Sequence, residues 1–278
     1  MTNGEMLKVA IANQKGGTGK TTTALILSYL LSKKGYDVLA IDLDPQASFT
    51  LALGYDPDEV EKTITDVFSE YVTFYEKRLK KEKPELMIED VKEQVNFMDA
   101  RFDFVPSNPR LEAYNLQLGA MVGGERLLYR VLDDVEGYDI VIIDTQPTLS
   151  KLVINALVAA DRVLAPVELS YLSIGGLTLL ISTVADVKEL YNRNLSWLGI
   201  LPVKYEKRSA VVRKNMERLK VLEEHVKIYP PVPKSVALER LLIERISIED
   251  LVKKLRSARE VLSAYENVVK DIEELMRR

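Results

Sequence analysis

Six short apolar runs, spread along most of the chain, constrain its fold more than any other feature. They are Leu7–Ala12 (LKVAIA), Val38–Leu43 (VLAIDL), Phe102–Pro106, Asp139–Ile143 (DIVII), Arg162–Val167 (RVLAPV) and Leu198–Val203. Most are continuous and β-branched, not alternating with polar residues, which predicts strands covered on both faces, as in a parallel sheet. Between them, periodic patterns predict helices over Lys20–Lys34, Gly124–Val135, Leu149–Ala159 and Gly175–Tyr191. This alternation implies an α/β fold: a doubly wound, mostly parallel sheet with helices on both faces and right-handed crossovers. Residues 1–278 read as a single domain of this kind.

Two regions break the rhythm. Residues 56–100 are dense in charge and include EKRLKKEKPELMIEDVKE, which predicts a helical insertion ahead of the third strand. A solvated helical hairpin and a partner-docking surface are both compatible with that composition. Residues 246–278 predict a C-terminal helical segment packed on the flank of the sheet. The chain has no cysteine, which excludes disulfides, thiol catalysis and thiolate-held clusters. The lone His225 cannot build a histidine-rich metal site. The opening MTNGEMLKV lacks a basic-then-apolar leader, and no apolar run is long enough to span a bilayer, so a cytoplasmic location is expected. With a net charge of −4, any contact with nucleic acid needs a local basic patch.

The stretch ANQKGGTGKTTTA, residues 12–24, follows the first predicted strand and opens the first predicted helix. It matches the phosphate-loop template G-x-x-x-x-G-K-[ST] except at its first position, where Gln14 replaces glycine. Gly16, Gly17 and Gly19 let the backbone curl so that successive N–H groups face inward, and the helix N-terminus adds its dipole. Lys20 is then placed to reach the β- and γ-phosphates, and the Thr21 hydroxyl to ligate Mg²⁺. Thr18 and Thr22 complete a nucleotide-binding stretch from Lys15 to Thr22. Asp144 ends a wholly apolar strand, where a carboxylate is costly unless it is hydrated or near a cation. Asp42 and Asp44 lie two apart at another strand's carboxyl end, the edge at which open α/β sheets bind ligands. In an extended strand both would face one side. Asp42 could instead cap the loop at Gln46–Ala47.

KGGTGKTT at 15–22, DLDPQ at 42–46 and IIDTQP at 142–147 resemble the ParA/MinD family of deviant Walker ATPases. PVELSYLSIGGL at 166–177 and VPKSVALE at 232–239 extend the resemblance, which points to the ParA/Soj branch of partition proteins. The resemblance implies a dimer that sandwiches ATP, with Lys15 crossing to the partner's phosphates and ADP left after hydrolysis. It assigns Asp44 to the attacking water, Asp42 to the neighbourhood of the metal and Asp144 to the Mg²⁺ shell. Adenine contacts are implied near Val203–Lys204 and at Val232 and Pro233. Gln146 departs from the family, which usually has proline there, and this puts the rigidity of Thr145–Ser150 in question.

Residues 204–220 contain seven Lys or Arg against two Glu, a basic region inside an acidic protein. Lys227, Lys234, Arg240 and Arg245 extend it. Relatives of the Soj type bind duplex DNA without sequence preference through residues in these segments, which implies Arg208, Arg213, Lys214 and Lys234 here. Ala237 stands where relatives are often basic. The resemblance further implies a ParB-like partner that stimulates hydrolysis, and nucleoid association in the ATP state. MinD-like membrane attachment is the second reading, but the acidic residues of AYENVVKDIEELMRR suit anionic lipid poorly. A third is a nucleotide-sensing assembly protein that binds no DNA. Iron-carrying relatives need cysteines that this chain lacks, and its tyrosines are not clustered at a terminus as in a tyrosine autokinase.

Overall fold

The computed structural model of the protein describes residues 6–76, 84–169, 174–235 and 256–277. Its centre is β1 (Leu7–Ile11), followed by α1 (Lys20–Lys33), β2 (Val38–Leu43), α2 (Ser48–Leu53) and α3 (Ile64–Glu76). An edge hairpin of β3 (Glu93–Phe97) and β4 (Ala100–Val105) comes next, then α4 (Tyr114–Ala120) and α5 (Leu127–Asp133). β5 (Ile140–Thr145), α6 (Lys151–Ala159), β6 (Arg162–Glu168), α7 (Ile174–Leu190), β7 (Ser196–Val203), α8 (Ala210–Lys220) and α9 (Arg256–Met276) complete the described chain. The seven strands form one sheet in the order β3-β4-β2-β5-β1-β6-β7. Every neighbouring pair is parallel except β3 and β4.

The six predicted strands are all present, and their continuous apolar character has the expected cause. β2 and β5 are buried at every residue because helices cover both faces of the sheet. Alternation within β1 serves two cores. Val9 and Ile11 pack with α1 and α9 on one side, while Ala10 and Ala12 face α3, α5, α6 and α7 on the other. The small alanines let that second layer approach closely. Helix α9 buries Ala258, Val261, Ala264, Tyr265, Val268, Val269 and Ile272, and the Tyr265 hydroxyl lies 3.3 Å from the Thr23 hydroxyl on α1.

The insertion differs from the helical expectation. Among its described residues only Ile64–Glu76 and the short 3-10 turn Ile88–Asp90 are helical, and Glu93–Phe97 is an antiparallel edge strand. Val95 and Phe97 turn inward and Gln94 and Asn96 outward, so one face of β3 packs while the other meets solvent. Residues 77–83, 170–173 and 236–255 lie outside the described residues. They include Ala237, Arg240, Arg245, part of PVELSYLSIGGL and the first ten residues of the predicted C-terminal segment.

Strand order sets the location of the site. β1 stands between β5 and β6, and the connections from β1 and β5 leave toward opposite sides, which opens a crevice at their carboxyl ends. The cross-strand register places Asp42 of β2 beside Asp144 of β5, and Asp144 beside Ile11, the last residue before the glycine loop. Three segments distant in sequence thus meet at one edge.

Candidate functional site

The loop after β1 is fastened at its root. Asn13 Nδ2 donates to the Pro166 carbonyl at 2.5 Å, Asn13 Oδ1 accepts the Lys15 N–H at 3.1 Å, and Thr145 Oγ1 donates to the Ile11 carbonyl at 2.8 Å. Within the loop, Thr18 Oγ1 donates to the Lys15 carbonyl at 3.1 Å. Gly17 (φ 73°) and Gly19 (φ 77°) both adopt left-handed backbone, which a side chain would strain. Gly19 immediately precedes α1, so the turn delivers the helix N-terminus to the crevice.

The two lysines of the loop occupy different environments. Lys20 is buried, and its ammonium reaches back to the Lys15 carbonyl at 3.4 Å. Lys15 is exposed on the rim. Burial lowers the pKa of Lys20, while Asp144 and then Asp44 act in the opposite direction by attraction.

Asp144 is completely buried. Its Oδ2 accepts the Thr21 hydroxyl at 2.7 Å, and its Oδ1 has no hydrogen-bond partner. Burial drives its pKa well above 3.8, and the charge of Asp42 adds to this. A buried carboxylate oxygen left unpaired is expensive, so the Thr21–Asp144 pair suits a cation or its water shell. The Gln14 amide nitrogen, at the position where the template has glycine, is a second buried and unpaired polar atom. An orphan acceptor and an orphan donor in one loop-and-strand constellation fit Mg²⁺ and a phosphorylated ligand.

Asp44 is 6% exposed, and burial raises its pKa. Its Oδ1 accepts the Gln46 N–H at 2.9 Å, and its carbonyl accepts the Ser107 hydroxyl and the Ala47 N–H, both at 2.8 Å. Ala47 holds a left-handed φ of 51° to complete this tight turn. The other carboxylate oxygen makes no hydrogen bond among the described residues, so Asp44 presents a fixed acceptor at the crevice.

Asp42 has a different occupation from the metal-side one expected of it. Its Oδ2 accepts both the N–H and the hydroxyl of Thr50, at 2.9 and 2.7 Å, and its Oδ1 accepts the Asp44 N–H at 3.2 Å. Both oxygens are therefore engaged in fixing the Asp44 turn and the start of α2. Its cap lies at Thr50, beyond the Gln46–Ala47 alternative. Burial raises its pKa from 3.8 to about 7.

Val203, expected near the base, falls beside the loop. Val203 Cγ2 would lie 3.9 Å from a Cβ on Gly19. Val232 is buried, donates its N–H to the Pro202 carbonyl at 2.8 Å and accepts the Tyr205 N–H at 2.9 Å, and Pro233 bridges Tyr205. The same pairing joins the two basic segments, since the Lys234 N–H reaches the Tyr205 carbonyl at 3.1 Å. Arg208 and Lys214 are exposed there. Arg213 instead turns its guanidinium onto the Lys207 and Arg208 carbonyls, and the Lys234 ammonium pairs with Glu206 at 2.7 Å. Gln146 is buried, and its amide donates to Ser150 Oγ, the N-cap of α6. A hydrogen bond thus ties Gln146 to the start of α6 across the segment Thr145–Ser150. Thr50 and Ser107 escaped sequence reasoning because no motif marks them, and so did the contact of the Lys204 ammonium with the glycine loop.

Residues 6–197 match the family AAA_31, described as an AAA domain. The chromosome-partitioning ATPase Soj of Thermus thermophilus is 32% identical over 238 residues, covering 86% of this chain and 85% of that protein. Cobyrinic acid a,c-diamide synthase of Mycobacterium smegmatis, with bound ADP and magnesium, is 29% identical with a TM-score of 0.72, covering 86% of this chain and 91% of that one. An ATP complex of Cyanothece McdA shares the fold at 23% identity, with a TM-score of 0.83 and 98% of each chain covered. On the loop, the two acidic strand ends and these likenesses, the chain belongs to the ParA/MinD family of P-loop ATPases, alongside Soj-like partition proteins.

Proposed function

We propose that this protein is an ATP-driven dimerising switch for DNA segregation, whose ATP-bound dimer holds duplex DNA without reading its sequence. The observation that carries the reading is the division of labour between two lysines: Lys20 buried beside Asp144 and Asp44, Lys15 exposed on the rim. Lys20 serves the loop's own nucleotide, and Lys15, out on the rim, is in position to face a second subunit.

Lys20, the loop N–H groups and the α1 N-terminus hold the phosphates. Thr21 and Asp144 would hold Mg²⁺, which would neutralise charge building on the transferring phosphoryl group. Asp44, fixed by Gln46, Ser107 and Asp42, accepts a hydrogen bond from water and aims it at the γ-phosphate. Catalysis here is positional and electrostatic, and turnover without a partner is slow. Val203–Lys204 and Val232–Pro233 form the base-side wall. Arg208 and Lys214 supply phosphate contacts, with Arg213 and Lys234 ordering the adjoining loops, and a ParB-like protein is the expected stimulator.

The membrane reading loses support from α9, whose apolar positions are already buried against α1 and the sheet. Among the described residues no helix is long and apolar enough to cross a membrane. The deciding experiment measures binding of random-sequence duplex DNA with ATP, ADP or no nucleotide across a salt series, alongside dimerisation. ATP-only binding that weakens steeply with salt supports the switch. A dimer in ATP with no affinity for DNA refutes it and favours the assembly-protein reading. Lys20→Ala should abolish nucleotide binding altogether.

A further inference from the structure

The end of β7 carries a lysine in a conformation that lysine rarely adopts. Lys204 has φ 52°, in the left-handed region. Strain of this kind persists only where the surroundings fix it, and it clusters at functional positions. The Lys204 ammonium donates to the Gly17 carbonyl at 2.7 Å and to Glu168 Oε2 at 3.2 Å. Glu168 is the last residue of β6, paired in register with Val203, and β6 in turn borders β1. One side chain therefore reaches across two strands, from the end of β7 to the loop that follows β1.

From this geometry we infer that Lys204 is a positioning residue for the phosphate loop, a clasp that locks the Gly17–Thr18 peptide and couples the base-side wall to the phosphate side. The inference rests on the nucleotide-binding reading above. Gly17 is the loop residue least able to hold its own shape: it has left-handed backbone, and a Cβ there would touch nothing. An external anchor is needed if the loop is to be set before ligand arrives. In a trans peptide the C=O and N–H point to opposite sides. Drawing the Gly17 carbonyl toward Lys204 turns the Thr18 N–H to the opposite side of the peptide, away from Lys204. The ammonium also polarises that peptide, which strengthens its N–H as a donor to an anion. Glu168, mostly shielded, keeps the lysine aimed and stops it from folding into solvent. Because Lys204 follows Val203, which packs by Gly19, a base seated on that wall tightens the same clasp.

The clasp is separable from fold stability by one substitution. Lys204→Gly removes the side chain but relieves the left-handed strain, so its melting temperature should equal or exceed that of the unaltered protein. ATP and ADP binding, each with Mg²⁺, is measured by titration calorimetry on the full chain, together with Lys204→Met and Lys204→Arg. The expected result is affinity about five- to tenfold weaker for Lys204→Gly and Lys204→Met, the loss of one charge-assisted hydrogen bond at a half-exposed site. Lys204→Arg, which keeps a cation, should recover most of it. Glycine and methionine variants that bind as tightly as the unaltered protein would overturn the clasp. So would an arginine variant as weak as methionine, which would make the effect one of packing. Failure of the unaltered protein to bind either nucleotide would instead sink the underlying reading.

Discussion

Raising the pH from 5 to 7.5 should weaken the protein in the absence of nucleotide and Mg²⁺, and Asp42 sets the size of the effect. Its carboxyl is completely buried and is held at about 7 instead of 3.8. A folded-state pKa raised above the unfolded value contributes stability that is fully present below pH 4 and is lost as pH rises through 7. A displacement of that size corresponds to about 4 kcal/mol, of which about 3 kcal/mol is lost between pH 5 and 7.5. Asp44 and Asp144 are raised as well and act in the same direction. The carboxyls with lowered values, Asp99, Glu125 and Glu273, lose their contribution only as pH falls through the ordinary carboxylate range, outside this window, while Lys20, lowered by burial, opposes the trend only where pH exceeds its folded-state value. Urea denaturation reads the effect directly. With a slope near 3 kcal/mol/M, the midpoint should fall by roughly 1 M across the window at constant slope. Asp42→Asn should remove the share of Asp42, about 3 kcal/mol across the window, and leave the part carried by Asp44 and Asp144. A midpoint that stays level or rises toward pH 7.5 refutes the reasoning, because it means that Asp42 and its neighbours are ionised at no cost in the folded state.

Three further outcomes are expected. A Cβ at Gly124 would lie 2.2 Å from the Leu118 carbonyl oxygen, so Gly124→Ala should cost more than about 3 kcal/mol in urea denaturation, through displacement of backbone that no rotamer can relieve. Thr23→Val leaves the buried Tyr265 hydroxyl without its partner and should cost about 1–3 kcal/mol, with hydrogen exchange rising first along α9. Asp44→Ala should leave a long-lived dimer in ATP, seen by size-exclusion chromatography, since it spares the loop and removes the acceptor for water; monomeric behaviour would count against the sandwich.

How much of this was legible depended on whether the physics was local. β1, β2 and β5 were readable because burial on both faces writes a continuous apolar run. β3 was not, because an edge strand with one solvated face mixes Val95 and Phe97 with Glu93, Gln94 and Asn96 in a stretch already dense in charge. The glycine loop, Lys20, Thr21, Asp44 and Asp144 were readable because strand, loop and helix follow one another within a motif. The occupation of Asp42 was not, since Thr50 lies eight residues away across a turn. The anchoring of Lys204 to the loop was further out of reach: its partners are 36 and 187 residues distant, and only the order β1-β6-β7 brings them together.

The same strand order explains why the site needs a ligand to become electrostatically comfortable. Parallel register sets Asp42 against Asp144 on adjacent strands, and α1 lays Lys20 over them, all out of water. Burial pushes the acids toward their neutral forms and the lysine toward its own, and their mutual attraction opposes this only partly. A surface site would ionise freely and gain little from a counter-ion. This one gains a great deal, because a divalent cation beside Asp144 favours the carboxylate and a polyphosphate beside Lys20 favours the ammonium. On the function proposed above, nucleotide binding is then also a charging of the site. Hydrolysis, by removing the γ-phosphate, withdraws part of the anionic field that keeps Lys20 charged and the loop closed. The energetic difference between the two states is therefore built into the depth of burial, and a shallower crevice with the same motif would switch less sharply.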